Sequence, residues 1–185
     1  MTMQLISLDI PEAFIIKQTS FTDQRGQFSR LFCQKTLAPI LAQREVKQVN
    51  FSRTTAQGTV RGLHYQHSPA AEMKFIRCIQ GAVWDVMVDL RPDSPTFLQW
   101  HAEELSQENN TMIVIPEGCG HGFQALAAES ELIYFHTAFY SETAEAGVHV
   151  QDPDLAIDWP LPVNNLSVRD ATLPTVEKWL KDSLG

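Results

Sequence analysis

The densest group of chemically reactive side chains in the sequence lies between Arg61 and Gln66. An imidazole titrates near neutral pH, so His64 in this segment is a candidate proton acceptor or donor. The segment is predicted to be a strand, and in an unbroken strand Arg61 and His64 would point to opposite faces. If both serve one site, Gly62 must interrupt the alternation as a bulge or kink. The alternative is structural, with His64 as a hydrogen-bonded packing residue and Arg61 in a surface ion pair.

Three more residues are candidates for a polar site. Lys74 opens a strand whose next positions on the same face are largely apolar, so its ammonium either reaches out to water or is held as a donor. His121 follows a turn rich in glycine, which keeps the backbone close to whatever the histidine contacts or merely supplies the dihedrals of the turn. Asp170 fits a capping box that begins at Ser167, but Pro174 follows too soon for a good helix.

The elements that must position these residues are mostly short runs of β-branched and aromatic residues, separated by turn signals. Many such runs without alternating helices predict an all-β antiparallel sandwich or barrel. Two short helices are predicted, over Thr36–Arg44 and Thr175–Leu184. The predicted strands are Phe14–Thr19, Phe28–Phe32, Val46–Ser52, Thr59–Tyr65, Met73–Ile79, Ala82–Leu90, Thr96–Leu105, Thr111–Ile115 and Glu131–Tyr140.

Alternation along a strand indicates which side chains share a face. In Ala82–Leu90 the even-numbered residues form an apolar face. In Glu131–Tyr140 the even-numbered residues include Tyr134, His136 and Tyr140. Two tyrosines and a histidine on one face need polar partners or a wet cavity. This face is therefore predicted to form a pocket wall.

Length, composition and charge limit the classes of function. A chain of 185 residues with 44% apolar residues predicts one globular domain over residues 1–185. The net charge of −8 argues against nucleic acid as a partner, although a nucleotide needs only a few local cations. The sequence has neither an apolar run long enough for a membrane span nor a signal-peptide pattern, so we expect a cytoplasmic protein. Three scattered cysteines without a CxxC pair predict reduced thiols.

A set of motifs follows nearly the whole chain in order: Asp23-x-Arg25-Gly26-x-Phe28, Gln48-x-Asn50, Arg61-Gly62-Leu63-His64-x-Gln66, Lys74, Ser94-Pro95-Thr96-Phe97, Pro116-x-Gly118-x-x-His121-Gly122-Phe123, Tyr134, Tyr140, Trp159-Pro160 and Leu166-Ser167-x-x-Asp170. Each motif alone is weak, but their order is specific. This ordered set resembles the dTDP-4-dehydrorhamnose 3,5-epimerase family. The resemblance implies an all-β, cupin-type jelly-roll barrel with a few short peripheral helices, usually a homodimer, and no cofactor.

The resemblance also implies an activity, the inversion of C3 and/or C5 of a nucleotide-linked 4-keto-6-deoxy sugar through an enolate, in deoxysugar or surface-polysaccharide biosynthesis. Such a reaction needs a base on one face of the sugar, an acid on the other face and a donor for the enolate oxygen. By resemblance, His64 is the base and Asp170 the carboxylate that orients it. Lys74 faces the enolate oxygen, and Tyr134 is the acid.

Arginine side chains are expected to bind the nucleotide part of the substrate. Arg25 and Arg61 match positions that hold the diphosphate, where guanidinium groups suit phosphate oxygens. Arg30 stands where the family usually carries an acid. Its donors would suit cytosine better than thymine, which predicts a departure from strict dTDP use, unless Arg30 turns toward a phosphate or solvent. The other pocket-lining residues expected by resemblance are Gln48, Asn50, His121 and Tyr140.

Several alternative functions remain open on the sequence. The segment from Pro116 to His121 resembles the second metal motif of metal-dependent cupins, but the first motif, His-x-His followed by Glu, is only His64-Tyr65-Gln66 here. We therefore expect activity to survive chelators without added metal, NAD or flavin. A non-catalytic sugar-binding cupin would not need the base, lysine and acid together. Epimerases that invert only C3 or only C5, or that act on a CDP-linked sugar, would carry much the same residues.

Overall fold

A computed structural model describes residues 2–184 of the chain. This part consists mainly of short antiparallel strands, with α-helices α1 (Gln34–Leu41), α2 (Val168–Ala171) and α3 (Val176–Leu184). The strands are β1 (Met3–Ser7), β2 (Phe14–Gln18), β3 (Phe21–Asp23), β4 (Gly26–Phe28), β5 (Gln48–Thr54), β6 (Val60–Gln66), β7 (Lys74–Gln80), β8 (Ala82–Asp89), β9 (Trp100–Ser106), β10 (Thr111–Ile115), β11 (Cys119–Ala125), β12 (Ser130–His136) and β13 (Glu145–Gly147).

Two antiparallel sheets form the body of the protein. One has the strand order β1-β2-β10-β7-β12-β5, and the other has the order β13-β6-β11-β8-β9. Strands β3 and β4 form a separate hairpin. The facing sides of the two sheets share an apolar core, because alternate residues of each strand point inward. This core includes Ile76, Ile113 and Leu132 from the first sheet and Met87 and Phe123 from the second.

A short helix covers part of the outer side of each sheet. Leu37 and Ile40 of α1 pack against the six-stranded sheet. Val176 and Trp179 of α3 pack against the five-stranded sheet, where the Trp179 indole N–H donates to the Tyr65 hydroxyl at 2.8 Å. None of the helices within residues 2–184 has the length and apolar character that a membrane crossing requires.

The all-β prediction is confirmed, and the two predicted helices correspond to α1 and α3 with boundaries shifted by at most three residues. The even-numbered residues of β8 form an apolar face, as predicted, and this face packs into the outer apolar cluster of the five-stranded sheet. No predicted strand corresponds to β1, β3, β11 or β13. Strands β3 and β13 have three residues each, too few for any periodicity to show.

The predicted strand Phe28–Phe32 is wrong beyond its first residue. Gly26 has φ +124°, and its turn folds β3 and β4 into a hairpin in which Phe21 pairs with Phe28. The hairpin ends at that pair, so the residues that follow have no strand partner in register. Their aromatic and aliphatic side chains therefore do not produce a strand.

Two more predicted strands are shorter than expected. The strand predicted from Thr96 begins only at Trp100, because the Asp89 carboxylate accepts a hydrogen bond from the Thr96 hydroxyl at 2.7 Å and holds that segment in a turn. The strand predicted over Glu131–Tyr140 ends four residues early, as β12. After β12, hydrogen bonds to side chains replace the backbone hydrogen-bond ladder of the sheet. At Tyr140, for example, the backbone N–H donates to Gln48 Oε1 at 2.9 Å.

Candidate active site

A cavity of about 640 Å³ lies between the two sheets. Strands β5, β7 and β12 of the six-stranded sheet form one wall, strands β6 and β11 of the other sheet form the opposite wall, and α2 contributes from the side. The volume is typical of small-molecule sites, which span about 300–1,000 Å³. All of the predicted site residues except Arg25 and Arg30 line it: His64, Asp170, Lys74, Tyr134, Gln48, Asn50, Arg61, His121 and Tyr140.

His64 and Asp170 form a hydrogen-bonded pair on the wall made by β6. His64 Nε2 lies 2.7 Å from Asp170 Oδ1, and the Gly62 N–H donates to Oδ2 at 3.4 Å. Burial raises the pKa of Asp170, but the hydrogen bond and charge of His64 outweigh it and leave this pKa below its ordinary value. The ionised carboxylate fixes the ring and leaves Nδ1 as the nitrogen that can reach a ligand.

The predicted capping box at Ser167 forms only in half. The Asp170 N–H donates to the Ser167 hydroxyl at 3.0 Å, which caps the single turn of α2. The carboxylate of Asp170 does not return to the start of the helix and contacts His64 instead. The cap therefore serves to place a buried carboxylate behind the imidazole.

Gly62 interrupts the alternation of β6, as the sequence predicts. His64 pairs with His121 and Arg61 pairs with Phe123, so residues 61–64 oppose residues 121–123 and β6 carries one extra residue. Gly62 has φ +121°, and a Cβ there would lie 2.6 Å from the His121 carbonyl oxygen. Only glycine fits this close approach. The bulge lets Arg61 and His64 line the same cavity.

Tyr134 lies on the opposite wall, on β12. Its hydroxyl is 2.8 Å from Ser52 Oγ on the neighbouring strand β5. Burial raises the pKa of Tyr134 far above its ordinary value, and the hydrogen bond with Ser52 opposes this only in part. The phenol therefore stays protonated and has a proton to give. Tyr134 and the His64 imidazole line the cavity from two facing sheets.

Lys74 is the first residue of β7 and is only 6% exposed. Its Nζ donates to the His64 carbonyl oxygen at 3.1 Å and lies 3.4 Å from Glu72 Oε1. Of the two possibilities left by the sequence, the lysine is held as a donor at the cavity wall and does not extend into water.

His121 stands on β11, and its Nε2 is 3.0 Å from Asp85 Oδ2. Both side chains are buried. Burial lowers the pKa of His121 and raises the pKa of Asp85, and the attraction within the pair opposes both shifts. The Asp85 carboxylate thus orients His121 toward the cavity in the way that Asp170 orients His64.

Polar residues at the cavity rim hold one another in place. Gln48 accepts a hydrogen bond from the Tyr140 N–H, and the Tyr140 hydroxyl donates to Glu145 Oε2 at 2.8 Å. The Asn50 side-chain nitrogen lies 3.3 Å from His136 Nε2. Tyr140 is 57% exposed, so its ring stands at the entrance.

Arg25 and Arg30 do not line this cavity. Arg25 is in the β3–β4 turn, where its side chain is 81% exposed and pairs with Asp23 at 2.6 Å. Arg30 follows the hairpin and is exposed. Their roles in substrate binding stay predictions.

Comparison with known proteins agrees with the chemistry of the cavity residues. Residues 7–178 match the family model described as dTDP-4-dehydrorhamnose 3,5-epimerase. The chain belongs to this family. It is 41% identical over 169 residues to the dTDP-4-dehydrorhamnose 3,5-epimerase of Shigella flexneri. This alignment covers 91% of this chain and 93% of the relative.

Solved structures of epimerases have the same fold. A 4-keto-6-deoxy sugar epimerase from Streptomyces spheroides superposes with a TM-score of 0.93 at 34% identity, covering 99% of this chain and 92% of that one. An epimerase from Legionella pneumophila, solved with dTDP-4-keto-L-rhamnose, gives a TM-score of 0.90 at 39% identity and covers 95% and 94% of the two chains. The cupin-like jelly roll implied by the sequence is therefore confirmed.

Several polar residues of this epimerase-family cavity were not assigned from the sequence. Two of them could have been found from the two-residue alternation of a strand. His136 shares the face of Tyr134, and Ser52 shares the face of Asn50 because it follows at a spacing of two. Arg169 occupies an unspecified position of the Ser167–Asp170 motif, and the remaining residues come from segments without a recognisable pattern. The unassigned residues include Ser52, Glu72, His136, Glu145 and Arg169.

The segments that resemble cupin metal motifs have other partners here. His64 and His121 each direct Nε2 to a carboxylate, Asp170 and Asp85 respectively. Within residues 2–184, no group of three or more His, Cys, Asp or Glu side chains has an arrangement that could hold a metal ion.

Proposed function

We propose that this epimerase-family protein inverts C3 and/or C5 of a nucleotide-linked 4-keto-6-deoxy sugar of the dTDP-4-dehydro-6-deoxyglucose type. One observation carries the proposal: the His64–Asp170 pair and the Tyr134 phenol line a single cavity from facing sheets. Inversion requires proton removal on one face of a carbon and proton return on the other. A base and an acid on opposite walls meet that requirement.

In the proposed mechanism, His64 Nδ1 removes the proton from a carbon next to the C4 ketone. The electron pair of that C–H bond moves toward the carbonyl, which becomes an enolate oxygen. The Lys74 ammonium donates to this oxygen, and Asp170 stabilises the imidazolium that forms. Tyr134 then delivers a proton to the opposite face. Its phenolate regains a proton from solvent, and the His64 imidazolium releases one to solvent.

Proton NMR in deuterium oxide tests this proposal, with dTDP-4-dehydro-6-deoxyglucose as the substrate. We expect deuterium to replace the hydrogen at C3, at C5 or at both as epimerised product forms. No exchange at either carbon would contradict it. The same spectra decide between double and single inversion, which matters because a dTDP-4-dehydrorhamnose 3-epimerase from Streptomyces niveus is 37% identical over 169 residues.

For the nucleotide, we propose that Arg61 binds the diphosphate. Its guanidinium lines the cavity near the rim, where the Arg61 Nε donates to Thr54 Oγ1 at 3.2 Å and leaves other N–H groups for phosphate oxygens. The possibility that Arg30 favours a CDP-linked sugar is kept as an alternative. Rates with matched dTDP and CDP substrates show which of the two nucleotides the protein prefers.

We also propose a homodimer, in which the partner copy supplies the arginines that do not reach this cavity. Phe21 and Phe28 form a cross-strand pair on the β3–β4 hairpin, and their side chains are 60% and 64% exposed. Strand β5 is the edge of its sheet and exposes Phe51 beside the cavity. Exposed aromatic groups and an open strand edge favour association with another chain.

Sedimentation analysis tests the dimer directly, since a monomer at micromolar concentration would contradict it. Arg25 tests the shared site: we expect Arg25→Ala to raise KM for the sugar nucleotide while the dimer persists. A single domain over residues 1–185 and a cytoplasmic location stay predictions of the sequence.

A further inference from the structure

Four side chains form a series of two hydrogen bonds and one ion pair along the wall of the cavity opposite His64. The Asn50 amide nitrogen lies 3.3 Å from His136 Nε2, and His136 Nδ1 lies 2.8 Å from Glu72 Oε2. The other carboxylate oxygen, Oε1, is 3.4 Å from Lys74 Nζ. The series joins β5, β12 and the residues leading into β7, and it ends on the lysine of the proposed mechanism.

Each hydrogen-bonding group in the series has an assigned direction. The Asn50 amide nitrogen can only donate, so His136 Nε2 accepts and the ring proton resides on Nδ1. That proton points to Glu72, which uses one oxygen for His136 and the other for Lys74. Both nitrogens of His136 are therefore occupied, and the ring is not a free acid or base.

Lys74 has three N–H groups, and two of them have protein partners. One donates to the His64 carbonyl oxygen at 3.1 Å, and one faces Glu72. The third is left for a ligand in the cavity that Lys74 lines. An ammonium on a flexible four-carbon chain would otherwise sample many directions.

A structural role alone does not account for this pair. Glu72 and Lys74 are 8% and 6% exposed, and removing an ion pair from water costs more than the attraction usually returns. Burial raises the pKa of Glu72, but the His136 hydrogen bond and the Lys74 charge outweigh it, and the pKa lies below its ordinary value. An ionised carboxylate is thus kept beside the lysine at the cavity wall.

We propose that Glu72 is a positioning residue that directs the Lys74 ammonium at the substrate carbonyl, and that His136, held by Asn50, orients Glu72. This inference rests on the proposed role of Lys74. It assigns to Glu72 and His136 a part in the reaction that is separate from substrate affinity, because neither needs to touch the sugar.

The test compares Glu72→Gln with Glu117→Gln. Glu117 also pairs with a cation, Arg44 at 2.6 Å, but lies outside the cavity, so it is a matched control for losing one carboxylate charge. We expect Glu72→Gln to lower kcat about tenfold or more with KM changed less than about threefold, which is the pattern of a lost transition-state interaction. Glu117→Gln should leave kcat unchanged.

Two substitutions of His136 test the series and leave the charges of Glu72 and Lys74 in place. The side-chain amide of asparagine can place an N–H near the position of Nδ1, so His136→Asn should keep kcat within about threefold of wild type. His136→Leu has no donor and should lower kcat as Glu72→Gln does. If Glu72→Gln does not fold, this pair of variants still decides the question.

The outcomes separate this inference from the proposed function. Lys74→Ala with wild-type kcat would remove the proposed role of the lysine, and the inference with it. Lys74→Ala that is inactive, beside folded Glu72→Gln with kcat within about threefold of wild type, would overturn the inference alone. Equal loss of kcat in His136→Asn and His136→Leu would also contradict it, since the donor would then be irrelevant.

Discussion

Replacing Asp170 by asparagine removes the charge behind His64 while keeping the size of the side chain. In the proposed mechanism the 2.7 Å contact between His64 Nε2 and Asp170 Oδ1 joins two opposite charges once the imidazole takes up a proton. Such a bond contributes about 1.5–3 kcal/mol. Because about 1.36 kcal/mol corresponds to a tenfold change in rate, kcat should fall roughly ten- to 150-fold in Asp170→Asn.

The assay is kcat at saturating sugar nucleotide, together with the melting temperature of each variant. Asp93→Asn is the matched control, because Asp93 is exposed in a turn and does not line the cavity. The backbone N–H of residue 170 can still cap on Ser167 in the variant, so we expect α2 to remain. A folded Asp170→Asn protein with kcat within threefold of wild type would refute the assigned role of the carboxylate.

Four other predictions address separate parts of the site. His64→Ala and Lys74→Ala should each lower kcat by about a hundredfold or more without unfolding the protein, as kinetics and melting curves will show. Tyr134→Phe should still exchange the substrate hydrogen with solvent in NMR spectra while epimerised product decreases; loss of exchange would give Tyr134 another role. Gly62→Ala should destabilise the protein by about 3 kcal/mol or more in urea unfolding, since its Cβ would meet backbone atoms at 2.5 and 2.6 Å at a positive φ. Arg30→Glu should shift preference from CDP toward dTDP sugars by about 1–3 kcal/mol in kcat/KM, and an unchanged ratio would exclude Arg30 from base choice.

Sequence reasoning predicted those site features that depend on local geometry. Two-residue alternation identified the face that carries Tyr134 and His136, and β12 confirms it as a cavity wall. The spacing of Arg61 and His64 required an irregularity at Gly62, and the bulge is present. The first inference needed only the two-residue period of a strand, and the second also needed the backbone conformations that glycine can adopt.

The missing features depend on contacts between distant segments. Ser52 meets the Tyr134 hydroxyl, and Glu72 meets His136, across 82 and 64 positions of sequence. A local pattern can show which face a residue occupies, but not which distant residue it pairs with, because pairing is set by strand order and register. The wrong strand at residues 28–32 has a related cause: its two phenylalanines suit a strand, but the hairpin leaves the segment without a neighbouring strand.

Because the base and the acid lie on different sheets, proton removal and proton return are controlled by different parts of the protein. In the proposed mechanism, substitutions on β12 and β5 alter where a proton returns, while those on β6 and α2 alter where it is removed. The two walls are joined chiefly through the apolar layer of Ile76, Met87 and their neighbours, not through a shared strand. A new pattern of inverted carbons can therefore arise by remodelling one sheet surface, with proton abstraction preserved on the other.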